Sequence, residues 1–210
     1  MNTQTRMLTG MAVTYGLVLM VPLMAQQPVT REVPTKKSPL QFTAFNVSMP
    51  TGMAGITEIT IERWTTDEER QLLLGLVETS KEGERGQAKL LKALQDVKPR
   101  VGFIRTPNSM GWDLKYAWEN ILPDGTRQVV IATDKPVSFG AAASGSRVLD
   151  YPFTLIEMRM KDNDKGEKGE GKMLAASSIS AKDGKLAIEN YGQEPVRLTS
   201  ITEKQKKPKS

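Results

Sequence analysis

A chain of 210 residues, 39% hydrophobic and 25% charged, has the composition of a soluble globular protein and the length of one domain with tails. It contains no cysteine and no histidine. Those two absences exclude disulfide staples, a lipid-bearing cysteine, Ser-His-Asp or Cys-His catalysis, and zinc, copper or iron sites built on thiolate or imidazole. The net charge of +5 is largely a matter of the ends: Lys204, Lys206, Lys207 and Lys209 against Glu203 give three positive charges, and Arg6 gives one. What remains on the body is too small and too scattered for a basic groove, so nucleic acid is not an expected partner.

The N-terminal stretch MNTQTRMLTGMAVTYGLVLMVPLMAQQ has Arg6 as its only charge, an apolar run from Met7 to Met24, and Pro22 and Ala25 ahead of Gln26. This is the layout of a secretory signal peptide over residues 1–25. The rival reading, an uncleaved anchor, wants about 20 strongly apolar residues, and this run is short and rich in Gly and Thr. Residues 26–39, QQPVTREVPTKKSP, read as a disordered linker rich in Pro and charge. Export without cysteine points to the bacterial periplasm or the extracellular space. The domain is expected over 40–202, followed by a basic disordered tail over 203–210. Lys204–Lys209 could touch an anionic surface weakly.

QFTAFNVSMP predicts a first strand and ITEITIERW a second, with Thr57, Ile59, Ile61 and Arg63 on one face. Thr66 and Glu69 form a capping box, with Asp67 and Glu68 placed to complement the helix dipole. Leu72, Leu73, Leu76 and Val77 give that helix an apolar stripe. After KEGERG, Leu90, Leu91, Leu94 and Val97 mark a second helix, stopped by Pro99. From Val101 on, strands are expected at 101–106, 112–119, 127–133, 153–161, 172–180, 185–190 and 196–201. They are joined by turns such as PDG at Pro123–Gly125 and KDG at Lys182–Gly184. Short connections make neighbouring strands antiparallel. The long segment Lys135–Tyr151 is the exception. The fold class is therefore α+β: a large antiparallel β-meander, as a curled sheet, barrel or sandwich, with a two-helix hairpin inserted after strand two.

The chemistry left is that of carboxylates, lysine and tyrosine. The S-x-x-K spacing does not occur. Glu157, in PFTLIEMRM, is the one weak catalytic candidate, against a structural ion pair with Arg159. The run KDNDKGEKGEGK fails the EF-hand pattern, because Glu167 and Met173 stand where Gly and Glu are required. No metal and no cofactor are expected. The stretch WDLKYAW places Trp112, Leu114, Tyr116 and Trp118 on even positions, hence on one strand face. Such a face forms a core or lines a cavity. With Phe139, Arg147 and Tyr151 of the long segment, Trp112, Tyr116 and Trp118 are the candidate ligand- or partner-binding residues.

The phrases ITIERWTTDEER, PRVGFIRTP, LPDGTRQVVIATDKPVSF, DYPFTLIEMRM and KGEGKM span most of Ile59–Met173. In them the chain resembles a group of uncharacterised bacterial exported proteins to which no function is assigned. The resemblance implies export and a single domain. The expected function is an exported envelope protein of the non-catalytic kind, binding a small molecule, lipid, glycan or envelope protein. The alternatives are a carboxylate-dependent hydrolase of cell-wall or polysaccharide material and a structural envelope protein that associates through an exposed apolar patch.

Overall fold

In the computed structural model, strand alternation resolves, among the described residues, into ten strands and two helices. They are β1 (Leu40–Ser48), β2 (Met53–Ile61), α1 (Asp67–Thr79), α2 (Glu84–Asp96), β3 (Gly102–Arg105), β4 (Trp112–Leu114), β5 (Tyr116–Ile121), β6 (Thr126–Thr133), β7 (Phe153–Lys161), β8 (Gly169–Lys182), β9 (Lys185–Glu189) and β10 (Val196–Gln205). The structure describes residues 33–48, 52–79, 84–107, 109–137, 153–161, 168–182, 185–189 and 195–205. Among them, no helix is long and apolar enough to cross a membrane.

Every strand pairing is antiparallel, and the order is β4-β3-β2-β1-β10-β8-β7-β6-β5, with β9 beside β8. The two ends of this order, β4 and β5, are separated only by Lys115. The Lys115 amide donates to the Ala132 carbonyl at 2.9 Å, and the Thr133 hydroxyl donates to the Asp113 carbonyl at 2.9 Å. The bent strand 112–121 thus lies between β3 and β6 and nearly closes the sheet into a barrel. With β4 and β5 counted as one and β9 set aside, eight strands go round. At that number a barrel interior is either just filled by side chains or holds one small ligand.

Here the interior carries one contiguous apolar cluster. Phe42 and Ala44 of β1, Ile59 and Ile61 of β2, Val129 and Ile131 of β6, and Ile156 and Met158 of β7 all belong to it. A second cluster lies on the outer face of β5–β7, where Tyr116, Val130, Ala132, Phe153 and Leu155 meet Leu73, Leu74, Val77, Leu90 and Leu94 of the helices. The alternation in β6 and β7 feeds both cores, as a period of two requires.

The helical hairpin is tied down by polar contacts at its ends. The capping box forms: the Glu69 amide donates to Thr66 Oγ1 at 3.2 Å, and the Thr66 amide to Glu69 Oε2 at 3.0 Å. Arg63 grips Glu69 at 2.7 and 2.9 Å and donates to the Pro99 carbonyl at 2.7 Å, so one guanidinium joins the exit of β2, the start of α1 and the link into β3. Arg63, expected on one strand face with Thr57, Ile59 and Ile61, therefore stands outside the strand, because β2 ends at Ile61. In α1 the buried stripe is Leu73, Leu74 and Val77, while Leu72 is exposed. α2 has no basic residue in its own last turn, and Lys115 supplies one: its ammonium donates to the carbonyls of Gln95 and Val97.

Two boundaries move. The described residues begin at Val33, inside the segment expected as linker, and there Pro34 is buried and Ser38 closes a turn on Thr35. At the other end β10 runs to Gln205, past the expected limit at 202. Turn chemistry holds at Pro123–Gly125: Gly125 takes φ +78°, its amide donates to the Leu122 carbonyl, and Asp124 accepts from the Thr126 amide.

Candidate functional site

The aromatic stretch does not keep one face. Trp112 and Leu114 join the barrel interior, whereas Tyr116 and Trp118 join the cluster under the helices. The expectation of a single even-numbered face is overturned at Lys115, which belongs to neither strand. Its amide serves β6 and its side chain serves the end of α2, and the bend exchanges inside for outside. Ala117, an odd position, now points into the interior. On the open edge of β5, Thr65 pairs with Ala117 in both directions at 2.9 Å.

Of the candidate binding residues, Tyr116 and Trp118 come together and Trp112 does not join them. Phe139, Arg147 and Tyr151 lie outside the described residues. Arg70, from the first turn of α1, completes the group. Its guanidinium carbon sits 4.4 Å from the centre of the Trp118 ring, a cation–π contact, and its charge lies beside the Tyr116 phenol. Arg70 also reaches Asp67 at 3.4 Å. The Tyr116 ring is fully buried, and its hydroxyl has no hydrogen-bond partner among the described residues. Burial pushes its ionisation up, against the opposing pull of Arg70, so the phenol stays neutral and remains a donor. The group thus combines a buried O–H with Arg70 and Trp118, both partly exposed. Phe153, the first described residue after the long segment, packs in the same cluster.

A second polar group lies inside the barrel. Arg127, 2% exposed, points inward from β6 and forms ion pairs with Glu119 of β5 and Glu203 of β10, and its guanidinium lies 5.7 Å from the Phe42 ring centre. Because β7 and β8 separate β6 from β10, this side chain bridges the lumen. Its Nη2 has no partner among the described residues. Sequence reasoning missed this group. In sequence Glu203 reads as part of a basic tail, and nothing local links it to an arginine 76 residues away.

Glu157 faces outward, next after Leu155 on that side of β7. Gln128 donates to it at 2.8 Å, Arg159 at 2.8 Å and Lys172 at 3.2 Å. Burial would raise its pKa, but these three partners prevail and hold the carboxyl below its ordinary value. Such a group is an ionised acceptor in a structural ion-pair cluster, poorly suited to donate a proton. Among the described residues, no three carboxylates gather in a metal-binding group.

Compared with protein-family models, curated proteins and solved structures, the chain matches none.

Proposed function

We propose that this chain is an exported, non-catalytic binding domain of the bacterial envelope. Its ligand is a small molecule that ends in an anionic, hydrogen-bond-accepting group held between Arg70 and Tyr116. One observation carries the reading: a fully buried phenol with no acceptor among the described residues, beside a guanidinium that faces both it and Trp118. An unsatisfied buried donor costs about 1–3 kcal/mol, so natural proteins retain few of them. A ligand acceptor entering beside Arg70 and Trp118 removes that cost in the bound state. The expected export rests on the apolar N-terminal stretch and its Ala25–Gln26 junction. The hydrolase alternative has less support, since Glu157 is ion-paired on an outer face and Glu119 and Glu203 share one guanidinium.

Thermal unfolding of the full chain and of Tyr116→Phe, with and without acetate, benzoate, citrate or inorganic phosphate, tests this. Without ligand, Tyr116→Phe should gain about 1 kcal/mol, because it removes an unpaired polar atom and keeps the ring. At about 100 times its Kd, a bound probe should stabilise the parent chain by about 2.7 kcal/mol and the variant far less. A variant that loses stability, together with probes that act equally on both proteins, would refute the site.

A further inference from the structure

Among the described residues, no helix lies over the outer face of β1 and β2. Phe45 and Ile56 are direct cross-strand partners there and remain 45% and 54% exposed. Next to them, the β3–β4 turn holds Met110 at 99% exposure. This turn is anchored against the start of β2: the Pro107 ring lies so close to Gly55 that a Cβ there would meet its Cγ at 2.8 Å. Gly111 takes φ +91° to bring the chain back, and Ser109 closes the turn on Thr106. Among the described residues, three of the exposed large apolar side chains therefore lie toward the same end of the barrel, on two adjacent hairpins.

The charges around this patch identify its partner. On the β3 side, Arg105 is exposed and stacks on Phe103 at 5.1 Å. On the β10 side, Arg197 is exposed, cross-strand from Val47 and from Lys172. The acid on the same stretch of β2 is Glu58, opposite Arg105, and Lys172 is shared with Glu157. Arg100 is already committed to Glu62 and Asp113. Among the described residues the result is a narrow apolar centre with an arginine on each flank and Glu58 beside one of them. Arginine stems can lie along apolar groups while their heads reach phosphate. A second copy of the chain would set these arginines against their own kind, and charges on both sides stop the apolar area from widening into a dimer core.

We infer that this end of the barrel docks on an anionic lipid surface, with Phe45, Ile56 and Met110 in the acyl boundary and Arg105 and Arg197 at the phosphates. The site is separate from the Tyr116 group and does not depend on it.

The absence of cysteine makes the test clean. Full-length protein carrying Met110→Cys is labelled with an environment-sensitive nitrobenzoxadiazole dye and mixed with phosphatidylcholine vesicles, with and without phosphatidylglycerol. The same label at Lys92→Cys on exposed α2 is the control. We expect a blue shift at position 110 on the anionic vesicles, none at position 92, and loss of the shift with added salt. Phe45→Ser with Ile56→Ser should abolish it, as should Arg105→Glu with Arg197→Glu, while circular dichroism stays that of the parent. The inference fails if the label at 110 stays in water while the protein sediments with vesicles. It fails equally if neutral vesicles give the same shift, or if the shift grows with protein concentration in the absence of vesicles, which would identify a second copy as the partner.

Discussion

The two outer flanks of this barrel are built from the same kind of strand and end differently. On β5–β7, alternate residues Tyr116, Val130, Ala132, Phe153 and Leu155 are covered by the helical hairpin and are buried. On β1–β2 the corresponding positions include Phe45 and Ile56, which no helix among the described residues covers. Alternation decides which side chains leave the barrel interior. It does not decide which outward face is then covered. That depends on where the hairpin is fastened, and the fastenings are polar: Arg63 to Glu69 and Pro99, and Lys115 to the end of α2. A covered flank adds a second core, and a bare flank offers a surface.

Both flanks depend on the barrel between them, so the largest effect should come from its interior. Arg127→Met leaves Glu119 and Glu203 facing each other without their cation. Breaking a buried ion pair from one side costs about 3–5 kcal/mol. Adding Glu119→Gln and Glu203→Gln to the same variant should recover most of that loss, since what is costly is the uncompensated charge. Urea unfolding of the single and triple variants reads both values. If the triple variant is no better than the single one, the bridge across the lumen acts through packing rather than charge.

The flanks themselves can be set against each other by one matched pair. Leu90→Ala removes a fully buried side chain between α2 and the sheet and should cost about 2–5 kcal/mol. Ile56→Thr keeps a β-branched residue on the bare flank and should change stability by less than about 0.5 kcal/mol. Equal effects in urea unfolding would mean that the bare flank is covered in solution.

Much of this contrast could be read from sequence, and the failures have identifiable causes. The alternation of β1, β2, β6 and β7, the Thr66–Glu69 capping box and the Pro123–Gly125 turn are local patterns, and each formed where its residues stand. Tyr116 and Trp118 stood out as aromatics, but their partner Arg70 lies 46 residues before Tyr116 on a helix, where it looks like any solvated basic residue. The change of face at Lys115 was illegible for a related reason. A lysine between two strands signals a bend only when the helix end that it caps is already in place. Glu203 shows the same limit: in EKQKKPKS it reads as tail, yet it pairs with Arg127 across the barrel. Period and capping are properties of neighbours in the chain, whereas this site is made by neighbours in space.

A further small effect, visible only as pH falls, lies on the outer face of β7 and β8, where the covered flank gives way to polar surface beyond Leu155. Glu157 has its pKa held below the ordinary 4.5, through Gln128, Arg159 and Lys172 and in spite of burial. A carboxyl whose folded pKa is depressed contributes stability above its unfolded pKa and loses it as pH falls through the folded value. The contribution should therefore be complete at neutral pH and should decline below about pH 4.5, the range in which an unfolded glutamate takes up its proton. Arg159 and Lys172 are well exposed, so the pairs should be worth under about 1 kcal/mol. In Glu157→Gln the acid-side slope of unfolding free energy against pH should be shallower than in the parent, with the curves converging at low pH. A variant that runs parallel to the parent throughout that range would mean the carboxylate gains nothing from its partners, and that this face of β7 is held by the apolar contacts of Leu155 and Phe153 alone.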